Sequence, residues 1–571
     1  MAERLFGIET EYGFSAFGKD GRPFSRPDAL ACVFDAVTAD VASLPGLQGS
    51  GLYLQNGARL YVDCGMHPEV ATAECSHPTE LVRHVLAGDR ILDAAARRTV
   101  SSSGDIGSLL FFKNNVDYAA NTTWGCHESY LHRCSPDLLP KQILPHLVSR
   151  VIYTGAGGFN PLSPGIQFTL SPRASYLVSA VSADSTTSRG IFHTKDESLC
   201  RNYYRLHLIC GESLCSETAT WLKVGTTALV LALVEAGRTP GREVEIRDPV
   251  SALRTFAADP HAKSAVLLPS GAWVSALQIQ RHYLRMAEES VGKSFMPPWA
   301  HEVCAKWREV LDRLEDAPRS VEKTLDWAIK RALFENRARR RGIPWDSLPL
   351  WNFVVSRLRQ ALGKANFGGS DVCVEDVLHP ASPVREDVQQ LSNYLRKRNL
   401  SWEGLRPFLE LRQELFEIET RFGQLGERGV FTAMDREDVL DHRMPGVRPV
   451  ENAVVSPPAI GRARLRGDSV RRFGSPRTNA SGAALSPSGN GGGAPLPRER
   501  SPRRNTEGPS RYVCDWQGVW DAVGGRFLDL SNPFETEERW QETGPLSANA
   551  RTYTRGGFRD LLSELGIAWP R

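Results

Sequence analysis

The sequence predicts an α+β fold in which strands that look antiparallel are interspersed with helices, without a repeating βα pattern. Three observations carry this. Segments such as 59–63 and 205–213 alternate polar and apolar residues with period two, as half-buried strands do. Segments such as 27–45, 78–99 and 218–236 place apolar residues at helical spacing. No GxxxxGK[ST] loop is present, and no GxGxxG follows a strand. A nucleotide would therefore be held by a sheet face and metal ions, not by a glycine-rich helix start.

The densest chemistry lies at 56–75, NGARLYVDCGMHPEVATAEC. Asn56-Gly57 is a turn pair. Arg59, Tyr61 and Asp63 then share one strand face, with Leu60 and Val62 on the other. Gly65, His67 and Pro68 break the strand, and Glu69 opens a second short strand over 70–74. A solvated hairpin with a salt bridge would use the same residues. The N-terminal segment ERLFGIETEYGFS adds a second carboxylate pair, because Glu9 and Glu11 project from one face of a strand. Like charges so placed repel unless a cation lies between them. Mg²⁺ prefers oxygen ligands and commonly holds phosphate oxygens as well, so it suits this pair; a charged edge strand is the plainer reading.

With 571 residues, 41% hydrophobic and 24% charged, the chain is an ordinary soluble type with material for two to four domains. A net charge of +3 does not select a partner class. The 11 cysteines show no CxxC or Cys/His ligand spacing, which points to free thiols in a reducing cytoplasm. Cys64 and Cys75 read as small buried fillers. No cationic and apolar leader opens the sequence, and the longest apolar run, 228–234, is too short to span a bilayer.

Along the chain, 109–117 reads as a strand ending in a polar turn. A strand in 121–131 carries His127 beside Glu128, with Lys113 and Asn115 shortly before. Residues 140–153 read as helical, and 167–175 as a strand delivering Arg173. The run 182–190 delivers Arg189, and 205–213 places Arg205 and His207 on one face. Guanidinium groups bind phosphate in bidentate fashion, so Arg189 and Arg205 are candidate phosphate ligands; structural salt bridges are the alternative. Residues 276–336 and 337–425 read as helices. The Gly/Ser/Pro/Arg-rich stretch 474–510 reads as a disordered linker. Its arginines, with those from Arg462 to Arg472, read as solvated rather than as a nucleic-acid surface. Residues 511–520 and 524–530 return to order.

Taken together, GIETEYG (7–13), the 56–75 stretch, FKNNVD (112–117), GCHESYL (125–131), RLHLICGES (205–213), LKVGTTALVL (222–231) and WAIKRALF (327–334) resemble the family of Pup ligases and Pup deamidases/depupylases. That family is similar to glutamine synthetase and glutamate–cysteine ligase. The resemblance implies a curved antiparallel sheet backed by helices that cradles ATP and Mg²⁺, with a smaller C-terminal domain. It covers 1–335 well and 422–535 more loosely. Residues 337–415 and the 474–510 linker depart from the family pattern. The expected division is a catalytic domain at 1–421, with 337–415 as a helical insertion, and a C-terminal domain at 422–571 interrupted by the linker. Gly-Ile-Glu-Thr-Glu in the first strand, the short spacing from Gly13 to Asn56, and VDCGMHPE favour the ligase branch.

Carried over residue by residue, the resemblance implies Glu9, Tyr61 and Glu69 as Mg²⁺ ligands, Arg59, Thr72 and Trp516 as ATP contacts, and Asp63 as catalytic base. Glu11 and His127 join the metal set and Arg189 and Arg205 the phosphate side, with His207 added to the site, on chemistry and sheet position. The implied partners are a Pup-like modifier ending in Glu and lysine-bearing target proteins; no membrane or nucleic-acid partner is expected. The rival readings are an amide hydrolase on the same scaffold, a small-molecule glutamate–amine ligase, and a non-enzymatic nucleotide- or nucleic-acid-binding scaffold.

Overall fold

The computed structural model describes residues 4–63, 65–163, 166–184, 187–194, 202–364, 379–474 and 510–546. The principal strands are, in chain order, β1 (Phe6–Glu11), β2 (Ser43–Pro45), β3 (Leu52–Leu54), β4 (Arg59–Val62), β5 (Pro68–Ala71), β6 (Cys126–His132), β7 (Ser179–Ser182), β8 (Gly190–His193), β9 (Tyr204–Leu208), β10 (Tyr512–Cys514), β11 (Gly518–Asp521), β12 (Arg526–Asp529) and β13 (Trp540–Glu542). The chain groups into two compact units. The larger takes residues 1–15, 67–93 and 110–451; the smaller takes 16–66, 94–109 and 452–571.

In the larger unit the strands lie in the order β7-β8-β9-β6-β1-β5. Apart from the parallel β7–β8 pair, they are antiparallel. Alternation sorts the two faces. Ile8, Tyr130, Leu206 and Leu208 are buried against the helices Leu139–Ser149 and Glu217–Glu235 in one hydrophobic core. Each such side chain contributes about 1.5–3 kcal/mol on burial, enough to fix the register, since a one-residue slip would move every one of them to the other face. The opposite face carries Glu9, Glu11, Glu69, His127 and His207. The helix Glu217–Glu235 is long and apolar enough to cross a membrane by length and composition, more than the run 228–234 suggests, yet it is wholly buried as the centre of this core.

The smaller unit is built on a hairpin. Strands β3 and β4 pair antiparallel around the Asn56-Gly57 turn, where Gly57 takes φ +81° and donates to the Leu54 carbonyl. Leu44 and Tyr53 pack with Leu465, Val470, Cys514, Val519, Leu528 and Leu530. The four strands β10 to β13 form an antiparallel meander. Asn56 Nδ2 donates to the Ala453 carbonyl at 2.9 Å.

This grouping is not the division at 421/422 expected from the sequence. Residues 16–66 collect with 452–546 through that shared core, while Phe422 and Phe431 pack with Ile329 in the larger unit. Three local readings also change. The helix expected over 27–45 ends at Asp40, and 43–45 becomes β2; Pro45 disfavours helix at the residue before it. The strand expected over 167–175 stops at Thr169, because Pro172 opens a 3₁₀ turn, Pro172–Tyr176, capped by Ser171. The arginines at 462 and 466 are not solvated; they lie buried in the helix Gly461–Phe473. The linker over 475–509 lies outside the described residues, as does Cys64. Among the described residues every cysteine is a free thiol.

Candidate functional site

In the larger unit, β1 is the axis of the polar face. Glu9 stands opposite His127 on β6 and Ala71 on β5, and Glu11 stands opposite Glu69. Three carboxylates therefore share one side of two neighbouring strands, as the period-two reading of β1 requires. Glu69 and Glu11 are buried, and Glu9 is half-buried. Glu11 Oε2 accepts the Gly125 N–H at 2.6 Å. Gly125 is required there, since a Cβ would come 2.7 Å from the Arg173 guanidinium carbon.

His127 Nδ1 lies 3.4 Å from Glu9 Oε2. One ligand atom each of Glu9, His127 and His207 falls within 4.8 Å of the others, a spacing that one cation could bridge. Burial pushes the Glu9 carboxyl up, but the His127 hydrogen bond and the neighbouring Arg205 guanidinium outweigh it, holding Glu9 well below the usual carboxylate range. Glu9 is thus ionised at neutral pH. Burial pushes His207 well below its ordinary value, so it is neutral. Carboxylates massed on a sheet face make an oxygen-rich donor set of the kind Mg²⁺ takes.

Arg205 and His207 share the face, as the alternation of β9 predicts. Arg205 Nη2 donates to His207 Nδ1 at 2.9 Å. The His193 ring, which sequence reasoning did not single out, stacks on His207 with centroids 5.2 Å apart and planes 9° apart. Its signal was the cross-strand register of β8, which sequence alone does not supply. Arg189 directly precedes β8 and is half-buried; its backbone carbonyl accepts from Val178 and Ser179.

Several expected contacts resolve otherwise. Glu128 does not act with His127, because neighbours on a strand point to opposite faces. It forms a bidentate pair with the buried Arg150 at 2.6 and 2.9 Å. Lys113 is committed to Asp89 at 3.0 Å. Arg173 is buried, donating to the Ile209 carbonyl and Thr123. The Thr72 hydroxyl accepts the Ile8 N–H at 3.1 Å, which leaves its own O–H to donate elsewhere.

The smaller unit gathers a second group. Arg59 on β4 donates to the Ser50 carbonyl, and its guanidinium lies 4.3 Å from the Tyr61 ring centroid and 5.8 Å from that of Tyr53. Trp516, in the turn between β10 and β11, meets Tyr53 edge-on at 5.4 Å. The Arg466 guanidinium covers the Trp516 ring at 4.6 Å. Arg59, Tyr61 and Trp516 are thereby brought together, joined by Tyr53 and Arg466, which the sequence did not reveal. Arg466 read as one of a basic run, and only its burial marks it out. Asp63 is half-buried and directly follows β4, so it keeps the face of Arg59 and Tyr61 only loosely.

The profile of the Pup-ligase protein family matches residues 4–353. The chain is 37% identical over 355 residues to a Pup–protein ligase of Geodermatophilus obscurus, an alignment covering 61% of this chain and 77% of that protein. It is 35% identical over 421 residues to the Pup–protein ligase of Paenarthrobacter aurescens, covering 70% and 90% respectively. In fold it is similar to the ligase PafA crystallised in complex with Pup (TM-score 0.61, 23% identity, 99% of this chain and 92% of that one). It is likewise similar to PafA in complex with ADP (TM-score 0.56, 22% identity, 95% of each chain).

Proposed function

The chain belongs to the Pup-ligase protein family, and from that premise we propose how it uses ATP to join the modifier Pup to lysines of target proteins, marking them for proteasomal degradation. The observation that carries the reading is the carboxylate face of β1 and β5, with Glu9 beside His127 and Glu11 opposite Glu69. A face that masses carboxylates suits cation-dependent phosphoryl transfer, and it does not suit a purely apolar ligand.

In the larger unit, Glu9, Glu11, Glu69 and His127 would hold Mg²⁺; for Tyr61, in the smaller unit, the same role is what the family resemblance implies. When bound, the ion neutralises charge on the phosphates and on the transferring phosphoryl group. Arg59, Arg189 and Arg205 would bind phosphate oxygens, with charge that persists at any working pH. Thr72 would donate its hydroxyl hydrogen to the nucleotide, and Trp516 would pack beside the base.

The γ-phosphoryl group passes to the side-chain carboxylate of the modifier's C-terminal Glu, giving a γ-glutamyl phosphate and ADP. The ε-amine of a target lysine attacks the acyl carbon. The C–N bond forms, the C–O bond to phosphate breaks, and inorganic phosphate leaves. A lysine ammonium has a pKa of about 10.4 and is no nucleophile until deprotonated. Asp63 would accept that proton as general base. The cytoplasm is the compartment this chemistry needs, since ATP, reduced thiols and protein targets coexist there.

The test incubates the protein with ATP, Mg²⁺, a lysine-bearing acceptor, and a modifier peptide ending in Glu or in Gln. An isopeptide adduct with ADP formed from the Glu peptide alone supports the ligase. Deamidation of the Gln peptide, or release of peptide from a premade conjugate without ADP, moves the assignment to a hydrolase.

A further inference from the structure

Three groups meet around Glu9: His127, His207 and Arg205. His127 and His207 are both placed to serve as metal ligands by proximity, yet the hydrogen bonding separates them. An arginine can only donate. The 2.9 Å contact from Arg205 Nη2 therefore makes His207 Nδ1 an acceptor. In a neutral imidazole the hydrogen must then sit on Nε2. A nitrogen carrying a hydrogen has no lone pair for a metal. His207 is 93% buried, and its Nε2 has no hydrogen-bond partner among the described residues. A buried donor without an acceptor costs about 1–3 kcal/mol. Within 4.8 Å of the His207 ligand atom lies the carboxylate of Glu9. Stacking with His193 at 5.2 Å and the edge contact with His127 at 5.3 Å hold the ring in plane.

We infer that Arg205 and His207 are a positioning pair for Glu9: Arg205 fixes the His207 tautomer, and His207 presents its Nε2–H to the Glu9 carboxylate without itself ligating the cation. Glu9 is then steadied by two rings, with His127 Nδ1 3.4 Å from its Oε2 and a His207 ring nitrogen within 4.8 Å of the carboxylate. Metal-binding carboxylates are commonly oriented by such outer hydrogen bonds. The inference rests on the reading of Glu9 as a cation ligand.

Mn²⁺ serves as the probe, with binding to the full chain followed by electron paramagnetic resonance, without nucleotide or peptide. His207→Gln keeps a donor, because its amide oxygen can face Arg205 while its NH₂ faces Glu9. His207→Leu removes the donor. The expected result is near-wild-type Mn²⁺ affinity in H207Q and a loss of about tenfold or more in H207L, within the range for outer-shell partners. Nitrogen couplings in the Mn²⁺ spectrum should be unchanged in H207L and lost in His127→Leu. A nitrogen coupling that disappears in H207L or H207Q makes His207 a ligand and overturns the inference. Loss of Mn²⁺ affinity in Glu9→Gln with none in H207L overturns the positioning role alone. Unchanged affinity in E9Q overturns the metal reading of Glu9 and the positioning role with it. Melting curves of H207L and H207Q separate misfolding from these outcomes, since H207Q keeps the ring's polar contacts.

Discussion

Glu11 and Glu69 stand directly opposite each other on adjacent antiparallel strands. Directly opposed like charges weaken a sheet, by a few tenths to about 1 kcal/mol per pair. Such a pair offers a cation oxygen donors from two adjacent strands. Glu69→Gln should therefore leave the metal-free protein as stable as wild type or slightly more so. It should also erase the rise in melting temperature that Mg²⁺ gives the wild-type chain. Thermal melts in EDTA and in Mg²⁺ read both effects. A variant that melts lower in EDTA and still responds fully to Mg²⁺ would remove Glu69 from the cation set.

Asp63 differs from the carboxylates of β1 and β5 in that its proposed role is to move a proton. Asp63→Asn keeps the shape and hydrogen-bonding reach but cannot accept the ammonium proton. Conjugation should fall by about 10²–10⁴-fold, the usual worth of a general base. Nucleotide affinity, measured by calorimetry, should stay within a few-fold of wild type. If ADP affinity collapses along with conjugation, Asp63 is a ligand and another group is the base.

The parts of this site legible in the sequence were those that a strand's period decides. Glu9 with Glu11, and Arg205 with His207, share faces because residues two apart always do. The same rule, applied to His127 and Glu128, sends the second carboxylate to the core, where Arg150 meets it. Cross-strand partners were not legible, because register is set by the packing of Ile8, Leu206 and their neighbours. His193, Tyr53 and Arg466 enter their clusters only through that long-range packing. Arg466 is the clearest case: RLRGDSVRR reads as a solvated basic run, and burial against Trp516 is visible only in the fold. The grouping of 16–66 with 452–546 was hidden for the same reason.

Acid stability should depend on Asp435. It accepts from His442 at 2.9 Å, Arg443 at 2.8 Å and Arg448 at 2.8 Å. Burial raises its pKa, but these three hydrogen bonds win and hold it well below the usual carboxylate range. A carboxyl whose folded pKa is depressed stabilises the fold fully above its unfolded pKa, about 3.9, and the stabilisation is lost as pH falls through the folded value. Asp435→Asn should thus cost about 2 kcal/mol at pH 7. It should also flatten the decline of stability on acidification below about pH 5. Urea melts from pH 7 to pH 3 give the comparison. A parallel decline in wild type and variant would show that Asp435 does not govern the acid limb.

Trp516 is held edge-on to Tyr53 and beneath Arg466, so one ring face is committed to a cation before any ligand arrives. Tyr53 is itself the cross-strand partner of Arg59, which links the indole to the guanidinium proposed for phosphate. If the indole packs beside the base, its removal forfeits a stacking contact worth about 1–3 kcal/mol. Trp516→Ala should then weaken ADP binding by about tenfold or more, while Trp516→Phe, which keeps an aromatic plane, should recover most of the loss. Titration calorimetry with ADP measures both, and inorganic pyrophosphate, which lacks the base, is the control ligand. Its affinity should be the same in all three proteins if Trp516 reads the base. Equal loss for ADP and pyrophosphate would instead mean that Trp516 acts by holding Arg59 in place through Tyr53, and unchanged ADP affinity in W516A would take the indole out of nucleotide binding altogether.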